Sequence, residues 1–218
     1  MAFVPFSWRM LVMLALMSAL AGATSFGAQA AEPGYYRVEG VAGNDVLNIR
    51  AEPDSVSQVI GELLPGVAPV EVLEVVGEWG RVLAADGNGW VSMRFLQPTG
   101  IAMIGDTLVP DGLVCGGTEP FWSLKISAGA GLVFEPAAGE GLSLPIAHAG
   151  TAIGRNHRFG VTGETDGARM TAMLGNQESC SDGMSDRDHG WRIDLLVEQD
   201  SADGRYQQYE GCCGVPVR

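Results

Sequence analysis

The sequence predicts an all-β protein in which a small barrel is followed by a second, disulfide-linked antiparallel β domain. Apolar and polar residues alternate over short segments, as they do in strands that have one face on a core. Glycine accounts for 31 of the 218 residues, about twice its usual share of roughly 7%, which predicts frequent turns. After the first 31 residues, no long stretch has the periodicity of an amphipathic helix.

Residues 1–31 have the organisation of a secretory signal peptide. One cation, Arg9, precedes an apolar run from Met10 to Ala21, and small residues follow up to the A-Q-A-A sequence at 28–31. A cation, a short apolar run and an A-x-A site are the three regions of such a peptide. The run is shorter than the roughly 20 apolar residues of a membrane-spanning helix. We therefore expect a periplasmic or secreted protein that has no membrane span once this peptide is removed.

The segment from Val46 to Leu96 contains a succession of short apolar strands separated by Gly and Pro turns. Five or so strands of this length curl into a small barrel. The side chains predicted to fill its interior are Leu47, Ile49, Val59, Val72, Val82 and Val91.

This segment resembles the bacterial Src homology 3 (SH3) domain. The hallmarks of that family are present as Leu47-Asn48-Ile49-Arg50, a turn at Pro53, a hairpin containing Trp79, and a final Gly89-Trp90-Val91. The resemblance implies an SH3-like domain at residues 32–97, whose relatives use a groove between loops to bind cell-wall peptides or other partners. Glu52 departs from the pattern, because many members have glycine there.

Four residues form the predicted ligand site of this domain. Trp79 offers an apolar platform, while Asn48 and Arg50 offer polar anchors, the arginine being suited to a carboxylate. Trp90 completes the site, although a tryptophan at this position often packs at the edge of a core. Structural roles stay open for the polar pair, since Arg50 can pair with an acid across strands and Asn48 can bond turn backbone.

Residues 98–110 are predicted to be a linker, because Gln97-Pro98-Thr99-Gly100 interrupts the strand pattern. A second domain would then span residues 111–218. Its alternating apolar positions include Trp122, Leu124 and Ile126, and later Trp191, Ile193, Leu195 and Val197.

All four cysteines lie in this second domain, at Cys115, Cys180, Cys212 and Cys213. Four thiols without a C-x-x-C spacing favour disulfides in an oxidising compartment over a zinc site or a redox pair. A bond between the adjacent Cys212 and Cys213 would be strained, because neighbouring strand residues point to opposite faces. We expect one of the two connectivities that join Cys115 and Cys180 each to one member of that pair.

Two sequence boxes mark the second domain, E-P-F-W at residues 119–122 and C-S-D-G-M-S-D at residues 180–186. They resemble an uncharacterised family of exported bacterial proteins and lipoproteins with E-P-F-W and C-x-D-G-M-S-D boxes. The resemblance implies no activity. Glu119, Asp182 and Asp186 are expected to tie loops together beside the disulfides.

Metal and cofactor chemistry receive little support from the sequence. Asp182, Asp186 and Asp188 could bind calcium instead of having a structural role. Their spacing, however, departs from that of calcium loops. The histidines, His148, His157 and His189, lack the spacing of metal ligands. We predict no metal and no cofactor.

The charge of the chain excludes some classes of partner. Its formal net charge is −13, and acids outnumber bases in both halves. Such a surface repels nucleic-acid phosphates and anionic lipid headgroups. It also keeps an exported protein in solution, which is the simpler reason for the charge.

The leading hypothesis is a non-catalytic envelope protein whose SH3-like domain binds cell-wall peptide or an envelope protein. The G-x-S-x-G and H-E-x-x-H motifs are both missing from the sequence. The alternative is a peptidoglycan or peptide hydrolase, in which Glu119 and Asp182 or Asp186 form an acid/base pair roughly 5 to 10 Å apart in an open cleft. A third hypothesis is that the second domain is a closed barrel around a small apolar ligand.

Overall fold

The computed structural model describes residues 33–176, 179–199 and 206–217. The expected signal peptide at residues 1–31 lies outside this part of the chain. Within the described ranges there is no α-helix, and no helix is long and apolar enough to cross a membrane. Strands, turns, irregular segments and one 3-10 turn at Met93–Phe95 make up these ranges. The predicted all-β fold class is confirmed.

Seven of the described strands form the first sheet: β1 (Gly34–Val38), β2 (Leu47–Arg50), β3 (Val59–Leu63), β4 (Val70–Val76), β5 (Trp79–Ala84), β6 (Gly87–Ser92) and β7 (Leu96–Pro98). Their order is β3-β2-β6-β5-β4-β1-β7, and every neighbouring pair is antiparallel. The sheet curls around one buried cluster of apolar side chains. This sheet is called the first barrel below.

The interior of the first barrel contains five of the six predicted residues, namely Leu47, Ile49, Val72, Val82 and Val91. The prediction for Val59 is wrong, since its side chain is 47% exposed. The register explains this, because Ile49 pairs with Gly61 while the next residue, Arg50, pairs with Val59. This bulge skips one residue of β3 and turns Val59 outward. Leu63, at the other end of β3, faces the core instead.

The second sheet is built from nine described strands: β8 (Leu113–Thr118), β9 (Phe121–Ser127), β10 (Gly131–Pro136), β11 (Leu142–Leu144), β12 (Ile146–Thr151), β13 (Arg158–Thr165), β14 (Ala168–Gly175), β17 (Trp191–Gln199) and β18 (Tyr206–Gly214). Between β14 and β17, the short strands β15 (Cys180–Ser181) and β16 (Asp188–His189) pair as a separate ribbon.

The order of the second sheet is β11-β10-β9-β8-β18-β17-β14-β13-β12, again antiparallel throughout. Its two edge strands, β11 and β12, are separated in sequence by Pro145 alone. A Cβ added at Gly163 of β13 would lie 3.0 Å from both Leu144 Cβ and the Pro145 carbonyl oxygen. The two edges therefore approach each other, and the sheet forms a nearly closed second barrel.

The interior of the second barrel is filled by its own side chains. The alternating residues predicted on β9 and β17 are all buried there. Aromatic rings pack against one another beside them, with ring centroids 5.0 Å apart for Phe134 and Tyr209 and 5.6 Å apart for Trp122 and Tyr209. Ile104 and Val109, from the segment predicted as a linker, also belong to this core. The boundaries of the domains themselves stay a prediction.

The disulfides are Cys115–Cys213 and Cys180–Cys212, one of the two expected connectivities. Cys213 is opposite Cys115 in the pairing of β18 with β8, and both side chains belong to the buried core of the second barrel. Cys212 is the preceding residue of β18 and so points to the other face of the sheet. There it holds Cys180 at the start of the ribbon.

The second strand of the ribbon, β16, docks on the first barrel. Arg81 on β5 donates to the Asp188 carboxylate at 2.6 Å. Asn88 on β6 accepts from the Asp188 backbone N–H at 2.6 Å and donates to its carbonyl at 3.1 Å. Arg187 also donates to the carbonyl of Ala85. The segment that follows the second sequence box therefore joins the two barrels.

Gly211 of β18 lies where no side chain fits, and its replacement tests the packing of β18 on β8. A Cβ at this position would overlap the carbonyl oxygen of Gly116 and lie 2.9 Å from the Trp122 ring. We expect Gly211→Ala to lower the free energy of unfolding by about 2 to 3 kcal/mol, because backbone must move to relieve the overlap. Denaturant unfolding of the oxidised protein, followed by tryptophan fluorescence, measures this change.

Gly129→Ala is the matched control, since nothing lies within 4 Å of a Cβ there. It should change the free energy of unfolding by less than about 0.5 kcal/mol. Equal effects of the two substitutions would contradict the close approach at Gly211.

Candidate functional site

The four predicted ligand residues all lie on the outer surface of the first barrel. Asn48 and Arg50 alternate with the buried residues of β2, and Trp90 alternates with those of β6. Trp79 begins β5 on the same outward side. Each of the four is partly exposed. We call the surface formed by Asn48, Arg50, Trp79 and Trp90 the tryptophan face.

Strand register sets the neighbours on this face. Trp90 is directly opposite Arg50 of β2 on one side and Arg81 of β5 on the other. Trp79 lies two residues before Arg81 on β5, so its ring is the diagonal neighbour of Trp90. The register therefore places two indoles and two guanidinium groups on one continuous outward surface.

Hydrogen bonds distinguish the two arginines. One nitrogen of Arg50 donates to the Ser57 carbonyl at 2.7 Å and so holds the loop between β2 and β3. Arg81 donates two hydrogen bonds, from Nη1 to Asp188 at 2.6 Å and from Nη2 to Ser179 at 3.3 Å. Its buried Nε lies 3.0 Å from Glu74 in an ion pair but has no hydrogen-bond partner among the described residues. Arg50 has more donors left for a ligand.

Comparison with known protein families identifies the module. Residues 45–97 match the family model of the bacterial SH3 domain. No curated protein and no solved structure matches the chain. The match covers the first barrel from β2 to β7 but leaves out β1, and the second barrel has no family assigned by comparison.

The two sequence boxes of the second barrel meet in an open cleft of about 410 Å³, which we call the box cleft. The turn between β8 and β9 supplies Thr118 and Glu119, and the start of the ribbon loop supplies Asp182 and Met184. The Thr118 hydroxyl donates to the Asp182 carbonyl at 3.4 Å. Cys180 and Cys212 line the same cleft, so their disulfide lies beside the junction of the boxes.

Asp182 uses its carboxylate to close its own turn. It accepts the backbone N–H groups of Ser185 at 2.9 Å and Met184 at 3.0 Å, and also the Ser185 hydroxyl. These hydrogen bonds, led by that of Ser185, hold the pKa of Asp182 below its ordinary value. This is the loop-tying role expected from the sequence.

The other two aspartates of this segment face elsewhere. The Asp186 backbone lies against Gly87, where an added Cβ would be 3.4 Å from the Asp186 carbonyl oxygen. Asp188 pairs with Arg81 of the SH3 domain. Among the described residues, no three metal-ligating side chains come together.

A buried carboxylate that sequence reasoning missed lies where the two barrels meet. Glu71 of β4 accepts a hydrogen bond from the Tyr35 hydroxyl at 3.3 Å through Oε1, and from the Val215 backbone N–H at 3.2 Å through Oε2. The Tyr35 hydroxyl in turn accepts from the Trp191 indole at 3.1 Å. Glu71 forms no ion pair with any described residue.

Burial dominates the electrostatics of this joint. It raises the pKa of Glu71 to about 7, although the hydrogen bonds from Val215 and Tyr35 act in the opposite direction. Burial, followed by the charge of Glu71, raises the pKa of Tyr35. Burial lowers the pKa of the nearby His189. The joint therefore favours neutral forms of these side chains.

Glycines on the second barrel make room for the carboxylate. A Cβ at Gly190 would lie 2.5 Å from Glu71 Oε1, and a Cβ at Gly214 would lie 3.2 Å from Oε2. The sequence signal for this contact is weak, because Glu71 occupies the outward position of an alternating strand, which normally faces solvent.

The raised pKa of Glu71 predicts a dependence of stability on pH. Between about pH 4.5 and 7 the folded protein binds a proton that the unfolded chain releases, so the stabilisation from this proton is complete below about 4.5 and is lost by about 7. Over this range the rise in pH lowers the free energy of unfolding by about 3 kcal/mol. Glu71→Gln, which keeps a neutral side chain, should be more stable than the wild type at pH 8 and similar to it at pH 4.5.

Thermal or denaturant unfolding across this range measures the difference between the two proteins. His189 acts in the opposite direction in both, since its lowered pKa adds stability as the pH rises, and the difference isolates Glu71. Glu78→Gln, at an exposed position of the same domain, is the control. A constant difference between Glu71→Gln and wild type at all pH values would refute the assignment.

Proposed function

We propose that the protein is a non-catalytic component of the bacterial envelope, in which the SH3 domain binds cell-wall peptide or an envelope protein through the tryptophan face. The observation that carries this proposal is the outward row in which Trp90 lies opposite Arg50, with Trp79 diagonal to it. Partly exposed indoles beside a guanidinium are well suited to a peptide that carries a carboxylate.

The polar groups of the tryptophan face support this chemistry. A guanidinium has five N–H donors, and Ser57 occupies only one of the Arg50 nitrogens. Asn48 forms no side-chain hydrogen bond with another described residue, so its amide is available to a peptide backbone. The apolar platform and the polar anchors are thus present on one surface, as small-ligand sites require.

The proposed location outside the cytoplasm rests on two features. All four cysteines form disulfides, which persist in oxidising compartments. Residues 1–31 have the pattern of a secretory signal peptide. Together with the bacterial SH3 domain, these features favour a periplasmic or secreted protein.

Replacement of both tryptophans tests the binding surface. The double variant Trp79→Ala/Trp90→Ala should bind purified peptidoglycan about tenfold more weakly than the wild type, because central aromatic side chains dominate such contacts. A sedimentation assay with increasing amounts of peptidoglycan measures the affinity, and circular dichroism verifies that the variant is folded.

Phe121→Ala is the matched aromatic control, since Phe121 is 63% exposed and lies on the second barrel. It should leave the affinity unchanged. If a folded double variant sediments with peptidoglycan as well as the wild type does, the tryptophan face is not the wall-binding surface. A protein partner would then have to be sought by crosslinking at these positions.

The box cleft provides an observation in favour of the hydrolase alternative, because Glu119 and Asp182 line it together. A glycosidase-type acid/base pair needs one carboxyl that stays protonated near neutral pH. Asp182 is unsuited to that role, since its pKa is lowered by its own turn. Glu119 would have to be the proton donor. The hydrolase therefore stays the alternative, with Glu119 as its acid and Asp182 as its base.

Glu119→Gln separates the two functions. We expect neither the wild type nor the variant to release soluble muropeptides from peptidoglycan, as measured by liquid chromatography of the digest. Turnover by the wild type that is lost in Glu119→Gln, with Glu140→Gln at an exposed site as the active control, would establish the hydrolase instead.

A further inference from the structure

A cavity of about 230 Å³ lies at the joint between the SH3 domain and the second barrel. Most of its wall is apolar and comes from both barrels, with Leu63, Leu73 and Leu83 on one side and Val114, Val215 and Val217 on the other. Leu83, Val114 and Val217 are each at least 38% exposed, so the cavity opens to solvent at their rim. Its volume exceeds the roughly 150 Å³ of a cavity that holds benzene.

One end of this cavity is polar. Glu71, Asp188 and His189 are its ionisable lining residues, and no lysine or arginine is among the described residues that line it. Of the two carboxylates, Asp188 has a cationic partner, since it pairs with Arg81 at 2.6 Å. The donors that the described residues give Glu71 are both neutral, namely the Tyr35 hydroxyl and the Val215 N–H.

The Glu71 carboxylate is incompletely satisfied in this position. An ionised carboxylate accepts about four hydrogen bonds, and Glu71 receives two, at 3.2 and 3.3 Å. A buried negative charge without a cation is costly, and a partner of opposite charge would offset that cost. The cavity therefore has an apolar body and one polar end, where no described residue supplies a counter-charge for Glu71.

We propose that this cavity binds a primary amine carried on an apolar body, with the ammonium group on Glu71 and the apolar part among the leucine and valine side chains. A small aralkylamine and a lysine side chain both have this chemistry. The site is separate from the tryptophan face and does not depend on wall binding.

The groups that face Glu71 give the binding a definite pH dependence. They are Tyr35 from β1, and His189 and Asp188 from β16. Tyr35 stays neutral because its pKa is raised, and His189 stays neutral near pH 7 because its pKa is lowered. Asp188 is already paired. Glu71 is the group of this set whose pKa lies at about 7, so the amine should bind more tightly as the pH rises through this value.

The test uses 2-phenylethylamine as the probe and 2-phenylethanol as its neutral analogue, with the full oxidised protein. Titrations followed by two-dimensional NMR should show the amine binding at least tenfold more tightly than the alcohol at pH 8, and should show this preference disappearing at pH 5. Shifts are expected at the Val215 amide and the Trp191 indole. Nα-acetyl-lysine amide is titrated in parallel. If it binds more tightly than 2-phenylethylamine, a lysine side chain is the better occupant of the cavity.

Two variants make the test specific. Glu71→Gln should remove the preference for the amine, and Leu83→Trp should block binding by filling the cavity while leaving the carboxylate in place. Leu64→Trp, at a 59% exposed position outside the cavity lining, should bind as the wild type does. The proposal is overturned if the alcohol binds as tightly as the amine, if Glu71→Gln keeps the preference, or if Leu83→Trp binds normally.

Discussion

The adjacency of Cys212 and Cys213 on β18 determines much of the architecture. Successive strand residues point to opposite faces. The Cys115–Cys213 disulfide therefore lies in the core of the second barrel, and the Cys180–Cys212 disulfide lies on the outer face of β18. The outer bond fixes Cys180, and with it the ribbon of β15 and β16. Asp188 and His189, which pair with Ser181 and Cys180 in that ribbon, contact the first barrel. A constraint between two neighbouring thiols thus positions the joint between the barrels.

Two carboxylates at this joint, Asp188 and Glu71, have opposite character. The charge of Asp188 is neutralised by Arg81 in a partly exposed ion pair. Ion pairs of that kind contribute little to stability. Glu71 is uncompensated, so its ionised form opposes docking while its protonated form donates or accepts hydrogen bonds at little cost. The apolar surface of Leu73 and Val215 around it supplies the favourable term. The balance between burial and ionisation at Glu71 therefore dominates the electrostatics of the joint.

Alternation of apolar residues was sufficient to predict part of both cores, from Leu47 and Ile49 to Ile193 and Leu195. It failed at Val59, because a bulge changes the face of every residue beyond it and leaves no mark in the alternation. It also missed Glu71, since only the docking of a second barrel distinguishes that residue from any outward glutamate. For Asp182 the local Asx-type turn was predictable, because it involves a carboxylate and its own following backbone. Contacts between residues close in sequence can thus be predicted from the sequence, whereas contacts between the two barrels cannot.

Arg81 connects the joint to the tryptophan face and explains which residue there can recognise a charge. It lies beside Trp90 in the sheet, and by position alone it is as suitable as Arg50 to bind a ligand carboxylate. However, Glu74, Asp188 and Ser179 already surround its guanidinium, and a ligand would have to displace one of them. Arg50 gives up only one nitrogen, to the Ser57 carbonyl. Because the guanidinium of Arg81 already contacts the ribbon, the proposed recognition of an anionic peptide group would fall to Arg50, on the side of Trp90 that faces β2.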